Sequence, residues 1–320
     1  MTHQEQGRTP EPQESSQKGE FLRKLEAQWD KGNFVCVGLD SDWDNLPEEF
    51  RNFGRESGTF QFNRGIIDAT ADLVCAYKPN IAFYEDDPKA LSSLKRTINV
   101  VHVKYPGIPV ILDAKRADIG NTNNGYVHAA FDQMEADAVT VHPYLGKEAL
   151  APFLARKDKG IIVLVRTSNP GAGEFQDLQI PVSTLPPDTR NFFIREELDD
   201  YNAYAGFHTV RMYQVVAYNV AHRWNENGNC AVVVGATYPA ELAKVRRIVG
   251  NMPILIPGIG VQGGEVEATV NAGKDSRGQG MVINSSRGII FASRGADFAP
   301  AARQATENLR NEINRYRTAA

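Results

Sequence analysis

Cysteine is scarce in this chain of 320 residues: Cys36, Cys75 and Cys230 are the three, each inside an apolar run and none in CxxC spacing. An odd, dispersed set excludes a disulfide framework and a thiolate zinc site, and reads as reduced, buried packing residues. Long hydrophobic runs are missing as well. No stretch approaches the roughly 18 apolar residues of a membrane span. The N-terminus, MTHQEQGRTPEPQESSQKGE, has no basic segment leading into an apolar one. The expectation is a soluble, cytoplasmic protein with no membrane partner. An excess of positive charge is also lacking, since 35 Lys and Arg face 39 Asp and Glu for a net charge of −4. That excludes a broad basic field for nucleic acid, so any anionic ligand must meet a local cluster of cations. HExxH, GxSxG, Walker A and GxGxxG-plus-acid patterns are absent, which leaves nucleotide-cofactor chemistry and serine hydrolysis without support.

What is present is enough apolar sequence, 42% against 23% charged, to bury a large core. Residues 1–18, rich in Gln, Glu, Ser and Pro, read as a disordered tail, and 19–320 as a single domain. Within it, apolar β-branched runs recur: FVCVGLD (34–40), LVCAYKP (73–79), IPVILDAK (108–115), AVTVHPY (138–144), GIIVLVRTS (160–168), CAVVVGAT (230–237), MPILIPGIG (252–260) and GMVINSSRG (280–288). Continuous apolar character is expected of parallel strands buried on both faces. Helical periodicity falls between them, at 60–72, 88–103, 122–135, 146–156, 239–249 and 263–271, with a capping helix at 19–30 and a closing one at 297–317. One interval is longer: 206–225 supplies its helix, leaving 172–205 as an insertion. Eight strand–helix units with right-handed crossovers predict an α/β fold, a closed (β/α)8 TIM barrel; a doubly wound open sheet is the alternative.

In such a barrel, function sits where strands end. The runs close on Asp40, Lys78, Asp113 with Lys115, His142, Arg166 to Ser168, Thr237, Gln262, and Ser285, Ser286 and Arg287. In ILDAKRADIGNT the two-residue strand period puts Asp113 and Lys115 on one face, with Asp118 following in the turn. A lysine between two carboxylates stays protonated and yields its proton only to a strong base, although an ion-pair network at a strand end has the same spacing. Asp40, Lys78, Asp113 and Lys115 alternate in sign, which limits the cost of burying four charges together. PGIGVQGG and NSSRGI, after the last two strands, offer glycine N–H groups and the Arg287 fork to a phosphate, with Ser286 and Gln262 alongside. Ser168 can bond a polar ring edge, while Asn169 to Gly171 read equally well as a plain turn. His142 has no acidic or thiol partner in sequence and reads as a satisfied residue.

These elements together resemble the orotidine 5′-monophosphate decarboxylase family in its longer bacterial form (type 2 subfamily). The resemblance runs through VGLD (37–40), FNRGIIDAT (62–70), YKPN (77–80), LDAKRADIGNT (112–122), VTVHPYLG (139–146), RTSNPG (166–171), VVGAT (233–237), PGIGVQGG (257–264) and SSRGI (285–289). It implies a carboxy-lyase that converts OMP to UMP and CO2 in de novo pyrimidine biosynthesis, with no cofactor and no metal. Carried over by position, Lys115 protonates the C6 carbanion and Asp113 faces the substrate carboxylate. Asp40 contacts the ribose and Lys78 orients Lys115. Asp118, with Ile119 and Thr122, reaches into the neighbouring site of a homodimer. Ser168 meets the pyrimidine, and Gln262 and Arg287 grip the phosphate.

Two competing readings share the barrel. A sugar-phosphate decarboxylase or aldolase-like enzyme would hold Mg2+ on the DxKxxD carboxylates, but it places an acidic residue where this chain has Lys78, whose ammonium would repel the metal. A non-catalytic nucleotide-binding barrel would bind UMP without turnover.

Overall fold

The computed structural model describes residues 19–202, 206–259 and 263–318; the expected tail at 1–18 and the candidate Gln262 lie outside the described residues. All eight apolar runs form parallel strands of one sheet. In chain order these are β1 (Val35–Gly38), β2 (Val74–Lys78), β3 (Ile111–Arg116), β4 (Ala138–Val141) and β5 (Gly160–Arg166). Between β5 and the sixth barrel strand lie three short ones, β6 (Gln179–Pro181), β7 (Asp200–Asn202) and β8 (Phe207–Arg211). The barrel resumes with β9 (Cys230–Val234), β10 (Ile254–Pro257) and β11 (Met281–Ser285). Neighbours run β2-β1-β11-β10-β9-β5-β4-β3, and the ends meet through the bridges Tyr77–Val110 and Asn80–Asp113. This closing seam is sparse because Pro79 and Pro109 bring no N–H to it. Their carbonyls still accept, from Asp113 N at 2.9 Å and Tyr77 N at 3.1 Å respectively. The result is a (β/α)8 barrel.

Strands β1, β2, β4 and β9 are buried at every position, as the unbroken apolar runs require when helices cover the outside and side chains fill the inside. The helix Glu20–Trp29 buries Phe21, Leu25 and Trp29, with Phe21 packed against Gly160 at the start of β5, so it covers the end of the barrel away from the charged strand ends. No described helix is long and apolar enough to cross a membrane.

The long interval differs from its sequence reading. Residues 207–211 are a strand, and the helix starts at Met212, running to Asn219 and on as a π-helical turn, Val220–Trp224. FHTVR is β-branched enough to pair, and β8 becomes the centre of an antiparallel sheet ordered β6-β8-β7. Gln214 ends the strand and starts the helix: its Oε1 accepts from Arg211 N at 2.8 Å, and its Nε2 donates to Leu198 O at 2.6 Å.

Candidate active site

Asp113 is the hub. Its Oδ2 accepts from Lys78 Nζ at 2.9 Å, and its Oδ1 accepts from Lys115 Nζ at 2.7 Å and from Thr140 Oγ1 at 2.9 Å. Three donors on one buried carboxylate offset its desolvation. Burial alone would raise its pKa, but the Lys78 and Lys115 ammonium groups outweigh that and lower it from 3.8 to about 2. Lys78 is almost fully enclosed, with its side chain 4% exposed. Burial pulls its pKa down, yet Asp113 and, behind it, Asp40 at 3.9 Å hold it above its ordinary value of 10.5, so it stays an ammonium.

Lys115 contrasts with Lys78. Its side chain is 49% exposed, so one lysine is a fixed internal counter-ion and the other has its ammonium at the open end of the chain of charges. The geometry that brings it back onto Asp113 is local. The β3–β4 register shifts between Leu112 and Arg116, and Lys115 takes φ +46°, a left-handed conformation rare for a residue with a side chain. Backbone strain of this kind gathers at functional sites.

Asp40, Lys78 and Asp113 line a cavity of about 430 Å3 together with Asn284, Ser286 and Arg287. The turn carrying Asp40 is wedged from below. Tyr84 OH donates to Leu39 O at 2.7 Å, and Asn63 links Ser41 to Tyr84. Asp40 Oδ1 and Asn284 Oδ1 are both buried without a hydrogen-bond partner among the described residues, although Asp40 Oδ1 has the Lys78 ammonium at 3.9 Å. Ser286 lies directly over Gly38, where any Cβ would overlap its hydroxyl. Ser168 is not in the cavity's lining but stands behind one of its walls. A Cβ on Gly235 would come within 2.8 Å of it, and Gly258, at φ +94°, lines the cavity beside it. Arg287 begins a short helix, Arg287–Ile290, and is exposed, with no ion pair among the described residues.

The loop bearing Ser168 is braced by Gln176 and Asp177, which follow it in the chain. The buried Arg166 guanidinium donates to Thr167 O at 2.8 Å and to Asp177 Oδ2 at 2.9 Å, and lies 4.2 Å from the centre of the Tyr238 ring. Thr167 N donates to Gln176 Oε1 at 2.9 Å. Arg166 is thus an anchor within the protein.

Residues 33–185 match the orotidine 5′-phosphate decarboxylase / HUMPS family. The orotidine 5′-phosphate decarboxylase of Cupriavidus metallidurans is 48% identical over 298 residues, 93% of this chain and 98% of that protein. That of Cellvibrio japonicus is 45% identical over 92% of this chain and 98% of its own. This chain belongs to the orotidine 5′-phosphate decarboxylase family. Among solved structures, Leishmania donovani OMP decarboxylase superposes with a TM-score of 0.74 at 33% identity, covering 94% of this chain and 100% of that one. The family is one of carboxy-lyases in pyrimidine nucleotide synthesis, and its TIM barrel is the fold seen here.

Against that family reading, the structure gathers Asp40, Lys78, Asp113, Lys115, Ser286 and Arg287 around one region and leaves three candidates outside it. Asp118 Oδ1 accepts from Ile119 N at 2.6 Å, and its backbone is held by Asn123. Ile119 and Thr122 are exposed. The lysine expected between two carboxylates, Lys115, therefore meets Asp113 alone within one chain. The lysine that does lie between two is Lys78. His142 is not satisfied at Nδ1, which is buried without a partner among the described residues. Thr140 and Asn284 carry no motif of their own because each sits inside an apolar run; a lone polar residue within such a run is the one mark they leave in the sequence.

Proposed function

We propose that this chain converts orotidine 5′-monophosphate to UMP and CO2 without metal or organic cofactor, and that Lys115 is the acid. The C6–carboxylate bond breaks, its electron pair remains on C6, CO2 departs, and a proton passes from Lys115 Nζ to C6; solvent then reprotonates the lysine. The observation that carries the reading is the single carboxylate of Asp113 shared by a buried ammonium and an exposed one. Lys78 keeps Asp113 ionised, and Asp113 aims Lys115. A vinyl carbanion is far more basic than an amine, so an ordinary ammonium suffices as the proton donor. Preorganised charge of this kind supplies the largest share of many enzymes' rate enhancement. An ammonium at position 78 also sits where a carboxylate-held Mg2+ would need a further anion, which disfavours the metal-dependent alternative.

The remaining assignments follow the cavity. Asp40 and Asn284, which line the cavity, accept from ribose hydroxyls. Ser168 bonds the pyrimidine edge. Arg287, Ser286 and Gln262 take the phosphate, whose binding energy at a distance from C6 stabilises the reacting arrangement. A homodimer completes the site, with Asp118, Ile119 and Thr122 reaching the neighbour's cavity. In support, Ile119 and Tyr144 expose 61% and 82% of their surface on adjacent loops at this end of the barrel, an apolar display that association would cover. The expected location is the cytoplasm. Purified protein given OMP in the presence of EDTA tests the reading. UMP formation supports it; loss of turnover in EDTA with recovery in Mg2+ favours the metal-dependent alternative, and UMP binding without turnover favours the non-catalytic one.

A further inference from the structure

Thr140 is the polar residue of an otherwise apolar β4, AVTV, and is 1% exposed. Its hydroxyl makes two contacts, one to Lys115 N and one to Asp113 Oδ1, each 2.9 Å long. The directions are forced. An amide N–H can only donate and an ionised carboxylate can only accept, so the single hydroxyl proton must point at Asp113 while its oxygen receives Lys115 N–H. The contact also stands where regular β3–β4 pairing fails, between Leu112 and Arg116. There the left-handed Lys115 has turned its amide out of the ladder, and the Thr140 oxygen supplies the acceptor.

We propose that Thr140 is a positioning residue for the decarboxylation. It fixes both ends of the Asp113–Lys115 unit: the backbone from which the Lys115 side chain springs, and the carboxylate oxygen to which its ammonium returns at 2.7 Å. The role rests on the decarboxylase reading above. Without the hydroxyl, Lys115 N and Asp113 Oδ1 each lose a partner, and the ammonium loses its fixed distance from the reacting carbon. A small misplacement of an acid is felt in the chemical step, whereas binding through Arg287 and Asp40 is untouched.

The test compares kcat and KM for OMP in the wild type, Thr140→Val and Thr140→Ser, with far-ultraviolet circular dichroism to verify folding. Thr140→Val should lower kcat on the order of 10²-fold with KM nearly unchanged, and Thr140→Ser, which restores the hydroxyl, should recover most of the rate. If valine prevents folding, Thr140→Ala against Thr140→Ser provides the same comparison. Wild-type kcat in the hydroxyl-less variant, a loss confined to KM, or a serine variant as slow as the valine one would overturn the role of Thr140 alone. Absence of OMP turnover in the wild type would instead refute the decarboxylase reading and this role with it.

Discussion

Lys115 and Asp113 lie two residues apart on β3, their side chains meet at 2.7 Å, and the lysine backbone leaves the strand conformation there at φ +46°. In regular strand geometry, side chains at i and i+2 leave the same face. Here the pair makes a charge-assisted contact, with the half-exposed ammonium toward solvent and the carboxylate beneath it. Lys78 closes the other side at 2.9 Å. The charges of the site therefore form a sequence, Asp40, Lys78, Asp113, Lys115, with its open end at the lysine assigned the proton transfer.

Acid should weaken the fold through Asp113. Its pKa falls from 3.8 to about 2 on folding, so its contribution is present above its unfolded value and is lost as pH drops through the folded one. At 1.36 kcal/mol per pKa unit this is on the order of 2 kcal/mol. Urea unfolding of the wild type and Asp113→Asn should show the wild-type advantage shrinking by that amount between pH 5 and pH 2. A gap independent of pH would contradict the assignment. Lys78 acts in the opposite direction: raised above 10.5, it stabilises below that pH and ceases to do so as pH rises through its folded value.

Arg287→Ala should spare the fold and damage binding. The residue is exposed and without an ion pair among the described residues, so little native structure depends on it. A lost guanidinium–phosphate contact, at 1.5–3 kcal/mol, should raise KM for OMP roughly 10- to 100-fold. An unchanged KM would remove Arg287 from the phosphate site.

Mixing two inactive variants tests the shared site. Lys115→Ala retains Asp118, and Asp118→Ala retains Lys115, so exchange of subunits in a dimer rebuilds one native site in each mixed pair. Equal amounts should regain about a quarter of wild-type turnover, since half the dimers are mixed and half their sites are intact. No recovery under conditions where subunits demonstrably exchange would place Asp118 outside the neighbour's site.

The barrel was legible in the sequence because burial on both faces leaves a signal that does not depend on context: apolar runs such as FVCVGLD and CAVVVGAT are strands wherever they pack. The alternating charges were legible because they close those runs. Other features depend on pairing across distance. Thr140 is meaningful only through the register that sets it against Asp113, 27 residues earlier. The left-handed Lys115 has no compositional mark, since lysine is not a residue that seeks that conformation. Residues 207–211 read as helix in the sequence but form a strand, because that strand is stabilised by β6 and β7, partners that local periodicity does not reveal. Asp118 fits its motif, yet within its own chain it contacts none of the site's other charged groups, so its role is not legible from one chain.

In the proposed reaction the Lys115 ammonium delivers the proton to C6, and turnover of OMP by Lys115→Ala measures this directly. Asp113 keeps Lys78 and Thr140 as donors in that variant, so its fold and thermal midpoint should stay near those of the wild type. Decarboxylation, followed as loss of the orotate absorbance, should fall by on the order of 10⁴-fold or more, the upper range for removal of a positioned acid. A folded Lys115→Ala protein that converts OMP to UMP at close to the wild-type rate would show that the proton does not come from Lys115.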